Sequence, residues 1–275
     1  MGVTVITGRG RAVAVADGTA AEITAAPEAV SRTLQGLSAR QVHGQSSDQS
    51  TVSALQVAGV IRARDAQRTA IVPRERLGDR LTVLVSGTVY TPMMPSVVGG
   101  LLRDGSWSAV DVVVTESARH FVVPKVFEYL GATTWRSSFR SPRNAHARAP
   151  HIHLGAASMI LAMPASANII ARLASGEGSD LASLVVLAAE GPVVVVPAMN
   201  GRMWAHPAVR RNVSILRDLG YYIVEPGEGL EVERRGEPTR EYGGIGVTYR
   251  DLAGALAWIL ADHALTRPQE PVKDE

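Results

Sequence analysis

The chain has 275 residues, 46% of them hydrophobic and 20% charged, with a formal net charge of +2 and no cysteine. That length suits one sizeable α/β domain, alone or with a small accessory one, and it needs no disulfide or metal staple. The absence of cysteine excludes a disulfide framework, a thiolate metal site and a cysteine nucleophile, and the near-neutral charge supplies no field for nucleic acid.

Residues 3–7 and 12–16 read as short strands joined by a turn at 8–11. Residues 26–37 and 52–64 read as helices, separated by a polar stretch rich in Ser and Gln. Segment 1–79 carries no motif and is expected to be an accessory extension. From residue 81 the pattern becomes regular. Apolar runs at 81–85, 110–114, 159–163, 193–196 and 221–224 alternate with helical stretches at 92–103, 117–130, 168–174 and 207–219. A last helix at 249–263 precedes a polar tail, 265–275. Short, fully apolar runs between amphipathic helices predict a parallel sheet covered on both faces, a doubly wound α/β domain over 80–264. The stretch 184–199 is broken by Glu190, Gly191 and Pro192 and falls short of the roughly 20 residues that span a bilayer. No signal peptide is legible, so the expectation is a soluble, cytoplasmic protein away from any membrane.

Ligands of such sheets bind beyond the carboxyl ends of the strands. The segments to inspect are therefore 86–88, 115–121, 164–169 and 197–204. No Gly-x-Gly-x-x-Gly follows a strand, and phosphate-loop and hydrolase-elbow signatures are absent. What remains is a set of small polar loops: Ser86-Gly87-Thr88, Ser117-Ala118 and Ala165-Ser166-Ala167-Asn168. Each reads either as an ordinary helix cap or as a cradle for the anion of a mononucleotide. Pro197-Ala198-Met199-Asn200-Gly201-Arg202-Met203-Trp204 is the other unusual segment. Its methionines and tryptophan fit core packing and a ligand site equally well. With only Lys125 and Lys273 as lysines, Schiff-base chemistry has no evident residue. His151-Ile152-His153 has no nearby third ligand, so no metal is expected there.

Pro164 to Asn168 and Pro197 to Trp204 resemble the two signature motifs of the homo-oligomeric flavin-containing cysteine decarboxylases. That family includes phosphopantothenoylcysteine decarboxylase and the peptidyl-cysteine decarboxylases of lanthipeptide biosynthesis. His151-Ile152-His153-Leu154 resembles the family's His-Ile-x-Leu segment, and the similarity runs over about 81–224. The resemblance implies a Rossmann- or flavodoxin-like flavoprotein with FMN bound between subunits of a homotrimer or a dodecamer of trimers. It implies that His151, Asn200 and Met203 act on the substrate, Asn200 gripping its carboxylate. It also implies that Ser86, Gly87, Thr88, Thr115, Ser117, Phe121, Pro164, Ala165, Ser166, Asn168 and Met199 lie at the cofactor. The flavin would take a hydride from the cysteine Cβ, so that CO2 can leave and an enethiolate remains.

Three departures qualify the resemblance. Ile169 stands where threonine is common, and Ala157-Ser158 where many members have Ala-Asp. The region 227–246, a substrate-covering flap with a reducing cysteine in phosphopantothenoylcysteine decarboxylases, has glycines and charges here but no cysteine. It reads as a mobile lid or a solvated loop. The expected activity is thus oxidative decarboxylation of a C-terminal cysteine of a peptide, in peptide natural-product maturation. The coenzyme A enzyme and a non-catalytic flavin-binding regulatory subunit are the alternatives. Arg136, Arg140, Arg143 and Arg148 read as an exposed loop or as a contact for an acidic group.

Overall fold

A computed structural model of the chain describes residues 4–8, 11–16, 19–23, 69–70, 76–138, 149–232, 238–244 and 249–266. The two helices expected at 26–37 and 52–64, the arginines at 140, 143 and 148 and the tail beyond residue 266 lie outside them.

The apolar runs form the central strands: β5 (Gly78–Val85), β6 (Trp107–Val114), β8 (Met159–Ala165), β9 (Val193–Pro197) and β10 (Tyr222–Val224). With β7 (Thr133–Arg136) they make six parallel strands in the order β10-β9-β8-β5-β6-β7. Their alternation divides two cores. Leu81, Val83, Val85, Val110, Val112, Val114, Leu161 and Val194 face α1 (Met94–Arg103), α2 (Lys125–Tyr129) and α8 (Tyr249–Thr266). Leu84, Val113, Ile160, Ala162, Val195 and Ile223 face α3 (Pro150–Gly155), α4 (Ala167–Ala174), α5 (Leu181–Leu187) and α7 (Pro207–Asp218). Burying each Val, Ile or Leu contributes about 1.5–3 kcal/mol, which is why both faces of these strands are apolar. The doubly wound α/β expectation is borne out.

The sheet does not end at β10. The expected hairpin forms as β1 (Thr4–Gly8) and β2 (Arg11–Ala16), followed by β3 (Thr19–Ile23) and β4 (Thr69–Ala70). β1 pairs antiparallel with β10, giving one ten-stranded sheet. The described strands of the extension therefore continue the main sheet rather than standing apart from it. A buried network locks the junction. Thr7 Oγ1 donates to Glu225 Oε1 at 2.6 Å and accepts from Arg217 Nε at 2.8 Å, while Arg217 Nη2 also donates to Glu225.

One local expectation is corrected, and two further elements appear. The helix expected over 117–130 is split into a 3-10 turn (Ala118–His120) and α2, because Pro124 lacks the N–H needed to continue one helix. Residues 181–187, for which no element was expected, form α5. The region 227–246, expected as a mobile lid or a solvated loop, contains the hairpin β11 (Gly227–Val232) and β12 (Pro238–Gly244). β12 lies against α6 (Gly201–Ala205).

Candidate flavin site at the switch point

From β5 the chain proceeds to β6 and β7 on one side, then returns to β8 on the other side of β5. The loops after β5 and β8 diverge, opening a crevice at that switch point. Both motif segments lead into it. Ser166, extended at φ −71° and ψ 162°, caps α4 by accepting from Ile169 N. Asn200 caps α6: its Oδ1 accepts from Met203 N at 2.8 Å. Ala198 N donates to Ala165 O at 2.9 Å and ties the two segments together.

The crevice has two adjoining clefts that share Ser166. One, about 240 Å³, is lined by Gly87, Thr88, Val89, Tyr90, Ser166, Ala167, Ala198, Met199, Asn200 and Met203. The other, about 520 Å³, is lined by Ser86, Thr115, Glu116, Ser117, Ser137, Ser138, Ser166, Asn168, Ile169, Arg172, Ser179 and Asp180. The first offers thioether, aromatic and amide groups, the second chiefly hydroxyls.

Several expected contacts have a structural duty as well. Ser86 Oγ donates to Pro164 O at 2.6 Å and accepts from Ser166 N at 2.9 Å, strapping the β5 loop to the β8 loop. Thr115 Oγ1 donates to Val85 O and accepts from Ala118 N. Those two hydroxyls hold backbone, and Ser117 Oγ on the cleft wall likewise accepts from Gly87 N at 3.3 Å. A Cβ on Gly87 would lie 2.7 Å from the backbone C and O of Ser117, so only glycine lets these loops approach so closely. Pro164 and Ala165 are buried beneath the site as part of β8.

Besides the buried Pro164 and Ala165, two further expected residues line neither cleft. Phe121 is 44% exposed at the end of the 3-10 turn. His151, half-buried on α3, also stands outside both. Conversely, Ser137, Arg172, Ser179 and Asp180 reach the larger cleft without having been expected there. Asp180 accepts from Ser137 Oγ at 2.7 Å, from Arg172 Nη1 at 3.0 Å and from Ser183 N at 3.0 Å. Burial acts to raise its carboxyl, but the hydrogen bonds from Arg172, the Ser183 backbone and Ser137 outweigh that and hold it below the ordinary carboxylate range. Arg172 is correspondingly raised, chiefly by its hydrogen bond to Asp180. The sequence signal for this clasp was Asp180-x-x-Ser183, a capping box in which both side chains bond the opposite backbone N–H.

These residues fit a flavin mononucleotide in kind. Hydroxyls and the first backbone N–H groups of α4 suit a phosphate and a polyol chain, because those N–H groups lack intrahelical partners. Met199, Met203 and Tyr90 suit a planar ring. Among the described residues, no group of three or more His, Cys, Asp or Glu could hold a metal. None of the described helices is long and apolar enough to cross a membrane.

Comparison with known proteins agrees with this geometry. The flavoprotein family model matches residues 69–240. The chain is 31% identical to the FMN-dependent cysteine decarboxylase SpaF, with a TM-score of 0.55 over 68% of this chain and 99% of that one. Its fold is also that of the peptidyl-cysteine decarboxylase EpiD, with a TM-score of 0.56 at 18% identity over 66% of this chain and 99% of that one. Among curated proteins it is 36% identical over 151 residues to the coenzyme A biosynthesis bifunctional protein CoaBC of Bacillus subtilis (strain 168), covering 53% of this chain and 35% of that protein. The chain thus spans about a third of the length of that curated relative. The crevice, the two motif segments on it and the match over most of the described sheet lead to one conclusion: the chain belongs to the flavoprotein family.

Proposed function

We propose that the protein is an FMN-dependent decarboxylase that oxidises the C-terminal cysteine of a peptide to an aminoenethiol during peptide natural-product maturation. The observation that carries this reading is the meeting of Ser166 with Met199, Asn200 and Met203 on one cleft, beside a second cleft lined by hydroxyls. The identity to SpaF across nearly all of that protein supports both the cofactor and the reaction class. When bound, the flavin supplies the two-electron acceptor that loss of CO2 from a cysteine carboxylate requires.

The chain's own residues supply the rest. Ser117, Ser166 and the start of α4 would hold the phosphate end, and Tyr90, Met199 and Met203 would exclude water around the ring. Asn200 has its Oδ1 committed to capping α6, which leaves the two N–H groups of Nδ2 to orient the substrate carboxylate. A neutral amide orients that group without stabilising the charge that must leave. His151 would move the thiol proton near neutral pH. Its position outside its own chain's clefts supports a homotrimer, or a dodecamer of trimers, in which one copy's His151 serves the crevice of another. With no cysteine in the chain, no thiol is present to assist return of the two electrons from the reduced flavin to the enethiol, and the product is released oxidised. A cytoplasmic location, without membrane or nucleic-acid partners, goes with this reading.

The identity to CoaBC favours a second reading, a phosphopantothenoylcysteine decarboxylase. Incubation with either substrate class, followed by mass spectrometry, separates the two. The peptide reading predicts a loss of about 46 Da, CO2 plus two hydrogens, from a cysteine-ended peptide. Turnover of phosphopantothenoylcysteine alone, with loss of CO2 only, overturns it.

A further inference from the structure

The sheet face beneath α3 is interrupted by polar residues where its surroundings are apolar. Residues 80, 82 and 84 of β5 share that face with residues 111 and 113 of β6, and Leu84 and Val113 belong to its core. Arg80, Thr82 and Asp111 stand where valines would pack at lower cost. Asp111 is only 2% exposed inside an otherwise apolar run, Val110-Asp111-Val112-Val113-Val114.

Each of these groups has a partner, and the chain of partners ends on α3. Trp135 Nε1 donates to Asp111 Oδ1 at 2.8 Å. Arg80 Nη1 lies 2.6 Å from Asp111 Oδ2 and 2.9 Å from His153 Nε2. Arg80 carries only donors, so its Nη1 can donate to both partners, with Nε2 of His153 accepting. The His153 ring also lies 5.9 Å from that of Trp135. Thr82 Oγ1 donates to Leu154 O at 2.9 Å, one residue further along the helix.

We propose that Arg80 and Asp111, acting through His153, are positioning residues for His151. The proposal rests on the reading of His151 as the residue that moves the substrate proton. In a helix of 3.6 residues per turn, positions 151 and 153 project about 200° apart. Holding the exposed His153 against Arg80 therefore fixes the direction in which His151, half-buried on the same helix, projects. A helix of six residues has too little length to fix its own rotation. Leu154 anchors the helix in the core, and the chain from the buried Asp111 through Arg80 to His153 adds a second anchor that fixes its rotation.

The test uses the flavin-loaded protein and His153→Phe, which keeps a ring beside Trp135 and leaves the Arg80–Asp111 pair in place. The expected result is a fall in kcat of about tenfold or more, as for a reacting group displaced by less than about 1 Å, with KM within about twofold. The flavin absorbance per subunit should not change. His153→Gln, which restores an acceptor, should recover kcat to within about threefold of the parent. Asp111→Asn, which keeps an acceptor for Trp135 but frees Arg80, should fall between the two. Unchanged kcat in His153→Phe overturns the proposal, as does an equal loss in His153→Gln. His151→Asn is run alongside. If it turns over normally, the reading of His151 fails and the proposal with it; if it is dead while His153→Phe is unimpaired, the positioning proposal alone fails.

Discussion

Asn200 shows how one side chain can serve fold and chemistry together, and how the two roles can be separated. Aspartate caps a helix as well as asparagine does, so Asn200→Asp should leave the melting temperature unchanged. It removes the Nδ2 donors and sets a negative charge against a carboxylate substrate. Each hydrogen bond to a charged group is worth about 1.5–3 kcal/mol, so losing two should lower kcat/KM for a cysteine-ended peptide by at least about a hundredfold. Asn200→Ala should do that and also destabilise the protein by about 1 kcal/mol, read by denaturant titration, because the cap is gone. Gly87→Val makes a complementary prediction. Its Cβ would meet the Ser117 backbone at 2.7 Å, so the purified variant should carry far less flavin absorbance per subunit than the parent. At this scale the sequence was most readable in unusual residues at strand ends, as with Asn200, Met199 and Ser166. It was misleading where a hydroxyl fitted two duties. Ser86 and Thr115 sit at the site, but their hydroxyls bond backbone, a commitment visible only once the loops are adjacent.

Elements with a single dominant period were legible, and those without one were not. The apolar runs behind β5, β6, β8 and β9 were plain because both faces of each strand are buried. β7 reads Thr-Thr-Trp-Arg, an edge strand with one fully covered residue, and carries no such signal. Missing it hid Ser137 and Ser138, which follow it and line the hydroxyl cleft. The wall they share with α5 is closed by the Arg172–Asp180 clasp, and its pH dependence has a definite sign. The folded Asp180 carboxyl titrates below its ordinary range, so in acid the unfolded chain binds more protons than the folded one. The clasp's contribution is complete above the ordinary carboxylate range and is lost as pH falls through that range toward the lowered folded value. Denaturant titrations across the acid range should show Asp180→Asn with a shallower loss of stability than the parent. A parallel loss in both proteins would count against the clasp. The hairpin β11–β12 was unreadable for a different reason: its strands are rich in Gly and charge, and pairing rather than burial pattern defines them.

Across the whole molecule, sequence pattern located the parallel half of the sheet but not how the extension joins it. Pairing of β1 with β10 is non-local, and β10 is only three residues long, so it reads as the closing strand of a series rather than a junction. The lock is Arg217 with Glu225 and Thr7, whose partners lie up to 218 positions apart in the chain. Arg217→Met removes the guanidinium bonded to the buried Glu225 carboxylate, which should cost about 3–5 kcal/mol of stability by calorimetry or denaturant titration. A variant as stable as the parent would mean the lock contributes little. The extension and the flavoprotein sheet thus share one structure, while the proposed chemistry depends on the crevice at its switch point. The most direct test of that chemistry is a single turnover without oxygen: FMN-loaded protein mixed with excess cysteine-ended peptide, with flavin absorbance and product mass followed together. The account predicts that the flavin bleaches completely as about one peptide per flavin loses about 46 Da, after which turnover stops. Continued loss of CO2 alone over many turnovers, with the flavin still oxidised, would contradict it.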